Sequence, residues 1–277
     1  MALEEEEALE LPLLSDTEAA LACVLGECPR GALLADGTVP CALWHAVYAV
    51  IHLPTNVDVE LERLCHANAI RVLKLPAHGD ERLVLRAEDY ERALRSSDQE
   101  GANAFADALR HCTGTTCQRD ELLAAMHSAS GAGIGRCEAW LGSLQASGWL
   151  VPARQAVAAG PSEAPASEGA RSADLWLWGM PHAGRLLYTL SKCRSAVLAL
   201  LNRQKFGRTM RRTVEGAPAL RKLLTQSKLD LTFVLRDLIG KRLIKSTDTT
   251  AGTVLELSPA GFQAAAAAAA RGKKRGR

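Results

Sequence analysis

Leu235-Arg236-Asp237-Leu238-Ile239-Gly240-Lys241-Arg242-Leu243-Ile244-Lys245-Ser246, running on through Thr247 to Gly252 into Thr253-Val254-Leu255-Glu256-Leu257, reads as a helix, a break and a β-hairpin. Leu235 and Leu238 lie three apart and share one helix face, Gly240 is the expected break, and Lys241 to Ser246 makes the first strand. Thr247 to Gly252 supplies turn chemistry, and Thr253 to Leu257 is a second strand.

The same spacing occurs twice upstream, as Leu61, Leu64 and Ile70 with Asn68 at the break, and as Leu141, Leu144 and Leu150 with Gly148 at the break. After the first, Ile70 to Leu75 and Leu83-Val84-Leu85 flank the turn cluster Pro76-Ala77-His78-Gly79-Asp80. After the second, Trp149 to Val151 is parted from Leu175 to Trp178 by residues 153–173, rich in Ala, Gly, Pro, Ser and Glu, as in a wing loop swollen by a disordered insert. Helices precede each hairpin. Leu14 to Cys28 opens on Ser15 with Glu18 three residues on, a capping-box pattern, and Pro29 stops it. Thr38 to Ile51, with Pro40 in its first turn, is the next, and Thr55 caps the helix of Leu61 and Leu64. Glu100 to Cys112, Arg119 to His127 and Gly135 to Ala146 fill these roles in the middle unit. Pro181 begins a long helix with Leu186, Leu187, Leu190, Val197, Leu198 and Leu201 as its apolar stripe.

Helices followed by a hairpin make a winged helix, so the chain is expected to be mainly α with small β-hairpin wings, an α+β fold of three tandem winged-helix domains. The expected division is an acidic tail at 1–13, winged helices at 14–98, 99–180 and 181–260, and an Ala-rich, basic tail at 261–277.

Composition narrows the function classes. At 277 residues and 48% hydrophobic content the chain can bury a real core. No apolar run approaches membrane-spanning length, and Glu4 to Glu7 is the opposite of a basic signal leader, so the cytosol or nucleus is expected, with no membrane contact. The eight cysteines show no Cys-x-x-Cys pair and no matching His spacing, which indicates reduced, mostly buried thiols and neither disulfides nor a metal site. The seven His are isolated; Cys65 and His66 point about 100° apart on a helix and make no catalytic pair.

Charge is the strongest functional signal. Residues 181–277 hold 20 Lys and Arg against 5 Asp and Glu, whereas the preceding 180 residues hold 13 against 26. Between Asp174 and Glu215 there is no acid at all, while Arg185, Lys192, Arg194, Arg203, Lys205, Arg208, Arg211 and Arg212 fall there. A solvated face normally mixes signs, so this run points to a polyanion. Lys205, Arg208 and Arg212 recur at i, i+3 and i+7, as one helical stripe would.

The segment Trp176-Leu177-Trp178-Gly179-Met180-Pro181-His182-Ala183-Gly184-Arg185, then Ser191 to Leu201, Asp237-Leu238-Ile239-Gly240 and Thr249-Thr250-Ala251-Gly252-Thr253-Val254-Leu255, resembles the family named serine/threonine-protein kinase nineteen. The resemblance is collinear but weaker from Leu14 to Val151, where Ala87-Glu88-Asp89-Tyr90 also fits. It implies tandem winged helices, a nuclear location, binding of double-stranded DNA and a part in transcription-coupled nucleotide-excision repair, joining the stalled RNA polymerase II assembly to TFIIH. The family's basic cluster at the end of the long helix stands here as Asn202-Arg203-Gln204-Lys205-Phe206, one charge poorer, with Arg208, Arg211 and Arg212 beyond it.

The kinase name fails against the residues. Phosphoryl transfer needs a phosphate-holding Lys, a catalytic-loop Asp and a metal-binding Asp before Phe-Gly, and no such motif occurs. Gly131-Ala132-Gly133-Ile134-Gly135 has no strand before it and no Lys after it, so it reads as a connector between helices. A non-catalytic adaptor without cofactor is expected; the alternative is a winged-helix scaffold that meets proteins and not DNA.

Arg203, Lys205, Arg208, Arg211 and Arg212 are the principal candidates for duplex contact, with Arg194, Arg221, Lys222, Arg236, Lys241, Arg242 and Lys245 behind them. The recognition helix Lys228 to Ile239 exposes Lys228, Asp230, Thr232 and Arg236, a set suited to phosphate and poor at reading bases. Lys241, Arg242 and Lys245 are expected on the first wing strand, and Arg271, Lys273, Lys274, Arg275 and Arg277 form a nuclear-entry or nucleic-acid tail. The acidic segment 14–98 is expected to dock a protein partner.

Overall fold

The computed structural model describes residues 14–28, 39–51, 56–75, 81–153 and 175–274. Three three-stranded antiparallel sheets form, each with its last strand in the middle. The first unit runs α1 (Asp16–Gly26), β1 (Cys41–Leu43), a 3-10 helix (Trp44–Ala49), α2 (Val57–His66), β2 (Ile70–Leu75) and β3 (Glu81–Arg86). After α3 (Ala87–Arg95), the second runs α4 (Ala102–Leu109), β4 (Thr116–Gln118), α5 (Arg119–Ser130), α6 (Ile134–Ala146), β5 (Leu150–Pro152) and β6 (Leu175–Trp178). The third runs α7 (Ala183–Asn202), a 3-10 turn (Lys205–Gly207), β7 (Arg208–Met210), α8 (Arg211–Gly216), α9 (Pro218–Ser227), α10 (Leu231–Gly240), β8 (Ile244–Thr249) and β9 (Gly252–Leu257), followed by α11 (Pro259–Lys274). Helix, short strand, further helices and hairpin in this order is the winged-helix topology, the third unit dividing its middle helix into α8 and α9. The fold is mainly α with small β wings, as the repeat predicts.

The helix-to-strand corner is the same in all three units. The amide of the residue five beyond the second leucine bonds back to that leucine: Ala69 N to Leu64 O at 3.0 Å, Trp149 N to Leu144 O at 2.9 Å, and Leu243 N to Leu238 O at 2.9 Å. Each corner needs one left-handed residue, and the three are Asn68, Gly148 and Arg242, with φ of 57°, 86° and 56°. Gly240 is therefore not the break of the third copy: it stays inside α10. Its missing side chain serves another purpose, since a Cβ there would lie 2.0 Å from the His45 carbonyl oxygen of the first unit.

The capping box at Ser15 and Glu18 forms as expected. The helix expected over Thr38 to Ile51 does not. Cys41–Leu43 is instead a fully buried strand, paired with Leu83 to Leu85 of β3, and only Trp44–Ala49 turns, as a 3-10 helix. Three apolar residues are too short a run to declare their period, and pairing to a central strand outweighs the weak helical preference. The cap of α2 is Asn56, while Pro29, Thr55 and nearly all of the 153–173 insert lie outside the described residues.

The units share one apolar core and are locked by buried polar contacts. Tyr90 donates to Gly179 O at 2.7 Å and meets Trp149 edge-on at 5.3 Å. Arg71 is buried and donates to the carbonyls of Leu109 and Cys112, so a cation from the first sheet caps the carboxyl end of α4. The Ala-rich stretch placed in a tail is α11, which packs along α7 with Ala265 buried. Gly261 lets the start of α11 lie against the corner before β8, because a Cβ there would stand 2.0 Å from Leu243 O. No helix among the described residues is long and apolar enough to cross a membrane.

Candidate nucleic-acid interface

The twelve basic candidates divide into two populations. Arg194 projects from α7 toward Asp237 on α10 and Glu81 on β3, with its Nε 2.5 Å from Asp237 Oδ2 and its Nη1 2.8 Å from Glu81 Oε1. His45 Nε2 donates to the other Asp237 oxygen at 2.6 Å, and Lys241 donates to Glu81. Arg236 Nε reaches Glu27 Oε2 at 2.5 Å. Arg194, Arg236 and Lys241 therefore hold the first and third units together and are not available to a duplex. Their partners in the first unit lie 113, 209 and 160 residues away along the chain, which is why a count of charge by segment could not pair them.

Electrostatics agrees with this division. Burial opposes the charge of Asp237 most strongly, yet the hydrogen bond from His45 and the Arg194 guanidinium hold its carboxyl below the usual value of 3.8. Burial likewise opposes Glu81, and Arg194 and Lys241 bring it below 4.5. For Arg194, desolvation is more than offset by Asp237 and Glu81, so its pKa rises. The Glu27 hydrogen bond does the same for Arg236.

The face that would make α10 a recognition helix is occupied. Phe233, Val234, Leu235, Asp237 and Leu238 are buried, and α10 packs on the 3-10 helix Trp44–Ala49. An α10 so covered cannot lie in a major groove. Of the residues expected to touch phosphate from this helix, Thr232 and Arg236 are half-buried, the latter bonded to Glu27 of the first unit, whereas Lys228 and Asp230 are exposed but precede α10.

The second population is free. Arg203, Lys205, Arg208, Arg212, Arg221, Lys222, Arg242 and Lys245 are exposed and make no ion pair among the described residues. Arg211 is intermediate, bonded to Glu215 at 2.7 Å and to Thr232 at 3.1 Å. The run from Lys205 is not one helical stripe, because Phe206 and Gly207 break it: Lys205 lies in the 3-10 turn, Arg208 in β7 and Arg212 in α8. β-pairing still gathers charge. Arg208 and Lys245 are both paired with Glu256 of β9, so two cations flank one carboxylate across three adjacent strands, about 10 Å apart at two strand spacings.

Arg203, Lys205 and Phe206 lead into β7 at this same end of the sheet, where Gly207 lies against Leu257 and Phe262. Arg242 leads into β8, whose Ile244 pairs with Leu257. It sits in the corner before the strand, as does Lys241, so only Lys245 of the three occupies β8. Arg271, Lys273 and Lys274 continue the backbone of α11, while Arg275 and Arg277 lie outside the described residues. Phe206, in the middle of the basic run, was missed as a surface feature; an aromatic between Lys205 and Arg208 was the available signal.

Other chemistry finds little support. Gly131 to Gly133 joins α5 to α6, as a connector should. Among the described residues no cluster of three or more His, Cys, Asp and Glu offers a metal site, and all eight cysteines are free thiols. Cys112 and Cys117 stand 3.5 Å apart, and the hydrogen bond between them lowers the pKa of Cys112 and raises that of Cys117.

A family model described as inactive serine-threonine protein kinase 19 matches residues 33–257, which is most of the chain and spans all three sheets. The chain belongs to that family. Two relatives of the chain are both named winged helix repair factor 1. The mouse protein is 28% identical over 236 residues, covering 83% of this chain and 80% of its own length. The human protein is 27% identical over 235 residues with the same coverage. The family description and the failure of every kinase motif agree, and the relatives' name matches the winged-helix topology described above.

Proposed function

We propose that the chain is a non-catalytic, nuclear adaptor that holds double-stranded DNA through phosphate contacts and serves transcription-coupled nucleotide-excision repair. In that role it would join the stalled RNA polymerase II assembly to TFIIH. The observation that carries the DNA reading is the set of free cations of the third unit, five at one end of its sheet and Arg212 in α8, beyond the other end of β7. Arg203, Lys205, Arg208, Arg212, Arg242 and Lys245 are unpaired among the described residues, whereas neighbouring basic side chains are neutralised by the first unit. The repair setting draws on the names of the relatives. Arg221 and Lys222 on α9 are outer candidates, and Arg271, Lys273, Lys274, Arg275 and Arg277 would extend the field or serve nuclear entry.

Phosphate contact without a recognition helix gives affinity without base preference. If all six cations reach phosphates, the slope of log K against log salt is about −5, so affinity falls about a thousandfold between 50 and 200 mM salt. Fluorescence anisotropy with an end-labelled duplex tests this. K205E/R208E/R212E should abolish binding while leaving the thermal transition in place, and unchanged affinity would remove these residues from the interface.

The second reading, a scaffold that contacts only proteins, is favoured by one observation: the face of α10 that winged helices often turn to DNA is already used for protein contact, within this chain. It predicts no duplex binding at 50 mM salt in the same titration.

A further inference from the structure

Phe206 is 78% exposed, more than any other exposed large apolar side chain among the described residues, and it stands inside the basic run. Its backbone is also unfavourable, at φ 59° and ψ 18° in the left-handed region that a bulky side chain avoids. Asn or Gly at this position would relieve both defects at once. An exposed ring kept on a disfavoured backbone needs a reason.

The loop is not loose. Gly207 N bonds to Gln204 O at 3.0 Å, and Gly207 is itself left-handed, packed so that a Cβ would meet the Phe262 ring at 2.6 Å. The turn is therefore clamped between α7 and α11, and Phe206 is held outward from it. Lys205 Nζ lies 5.2 Å from the centre of the Phe206 ring, and Arg203 and Arg208 flank the pair in sequence, both exposed. An exposed aromatic ring with one cation over it and two more close by in sequence is the chemistry that takes a nucleobase together with its phosphates.

Resting on the duplex-binding reading above, we propose that Phe206 stacks on an unpaired base at a junction between duplex and single-stranded DNA, with Arg203, Lys205 and Arg208 on the adjoining phosphates. Inside an intact duplex both faces of each base are covered by neighbours, so a ring on a short clamped turn finds a partner only where the helix is open. The consequence is selectivity for DNA structure without selectivity for sequence, since every base offers a π face.

The test uses the full chain and three labelled DNAs: a blunt duplex, the same duplex with a single-stranded tail, and the tailed duplex with an abasic nucleotide at the junction. The last keeps every phosphate and removes only the base. The wild-type chain should bind the tailed duplex about tenfold more tightly than its abasic counterpart, the size of one base stacked on an aromatic ring. Phe206→Asn, which accepts the left-handed backbone and so preserves the turn, should lose that difference and bind the blunt duplex as the wild type does. Phe206→Trp should keep it. If the wild type does not distinguish the abasic junction, or if Phe206→Asn distinguishes it equally well, the stacking role is wrong while salt-dependent binding of the blunt duplex still supports the general reading. If no form of DNA binds, both fall together.

Discussion

Replacing Asp237 by Ala should be among the most damaging single changes in the chain, although the residue would touch no ligand. Its side chain is 0% exposed and accepts from Arg194 Nε at 2.5 Å, Arg194 Nη2 at 2.6 Å and His45 Nε2 at 2.6 Å. Arg194 is itself only 13% exposed. Without Asp237 the buried guanidinium keeps one carboxylate, Glu81, which it already shares with Lys241, so two cations face a single anion. Breaking a buried pair from one side costs about 3–5 kcal/mol, because the remaining charge is left uncompensated in a poorly solvated place. At about 2–4 °C per kcal/mol for a chain of this size, the midpoint of thermal unfolding should fall by about 10 °C. Scanning calorimetry on D237A reads this directly. R194M/D237L, which removes both charges and keeps the volume, should recover most of the loss, since a buried pair and its apolar replacement are often nearly equal in stability. A D237A protein within about 1 kcal/mol of wild type, or a double variant as unstable as the single one, would show that this network does not fasten the first unit to the third.

Three further outcomes follow from the same geometry. Gly240→Ala should cost about 1–3 kcal/mol by overpacking, seen as a lower denaturation midpoint and faster hydrogen exchange in α10, because the added Cβ meets the backbone of His45 at 2.0 Å and not a yielding side chain. Arg242→Gly should raise stability by up to about 1 kcal/mol in urea titration, by relieving a left-handed backbone at φ 56°, while weakening duplex binding if Arg242 is a phosphate contact. Acid should part the first and third units: the folded pKa values of Asp237 and Glu81 lie below 3.8 and 4.5, so their stabilisation is complete above those values. It is lost as pH falls through the lower folded values, and a pH series of unfolding midpoints should decline below about pH 4.

The repeat of two leucines and a break was legible because it encodes a local hydrogen-bond pattern, the corner that closes at Ala69, Trp149 and Leu243. What it could not separate was the residue that turns from the residue that merely lacks a side chain. Gly240 looked like the corner, but Arg242 makes it at an energetic cost, and Gly240 answers to His45, which is distant in sequence. The strand Cys41–Leu43 was illegible for a related reason, since its partner β3 begins some forty residues later.

Charge was legible in its segregation along the chain and not in its pairing. Net charge by segment is a property of sequence, whereas neutralisation is a property of contact. Part of the opposition between an acidic first unit and a basic third is consumed inside the molecule at Glu27 and Glu81. The spacing of Lys205, Arg208 and Arg212 suggested a helix, yet Gly207 inside that spacing was a warning, and the structure lays the three on a turn, a strand and a short helix. The alanine run shows the reverse case. It was expected in a tail, but it forms α11, which packs along α7 with Ala265 buried.

The measurement that bears most directly on the DNA-binding surface is the salt dependence of duplex affinity for the wild type beside two triple variants. One, R203A/R208A/K245A, removes free cations; the other, R194A/R236A/K241A, removes those bound by the first unit. The free-cation variant should lower the steepness of log K against log salt by about three, one for each phosphate left without its cation. The interface variant should be less stable to heat and keep the wild-type slope. Equal slopes for wild type and R203A/R208A/K245A would contradict the claim that the unpaired cations at the end of the third sheet form the DNA-binding surface.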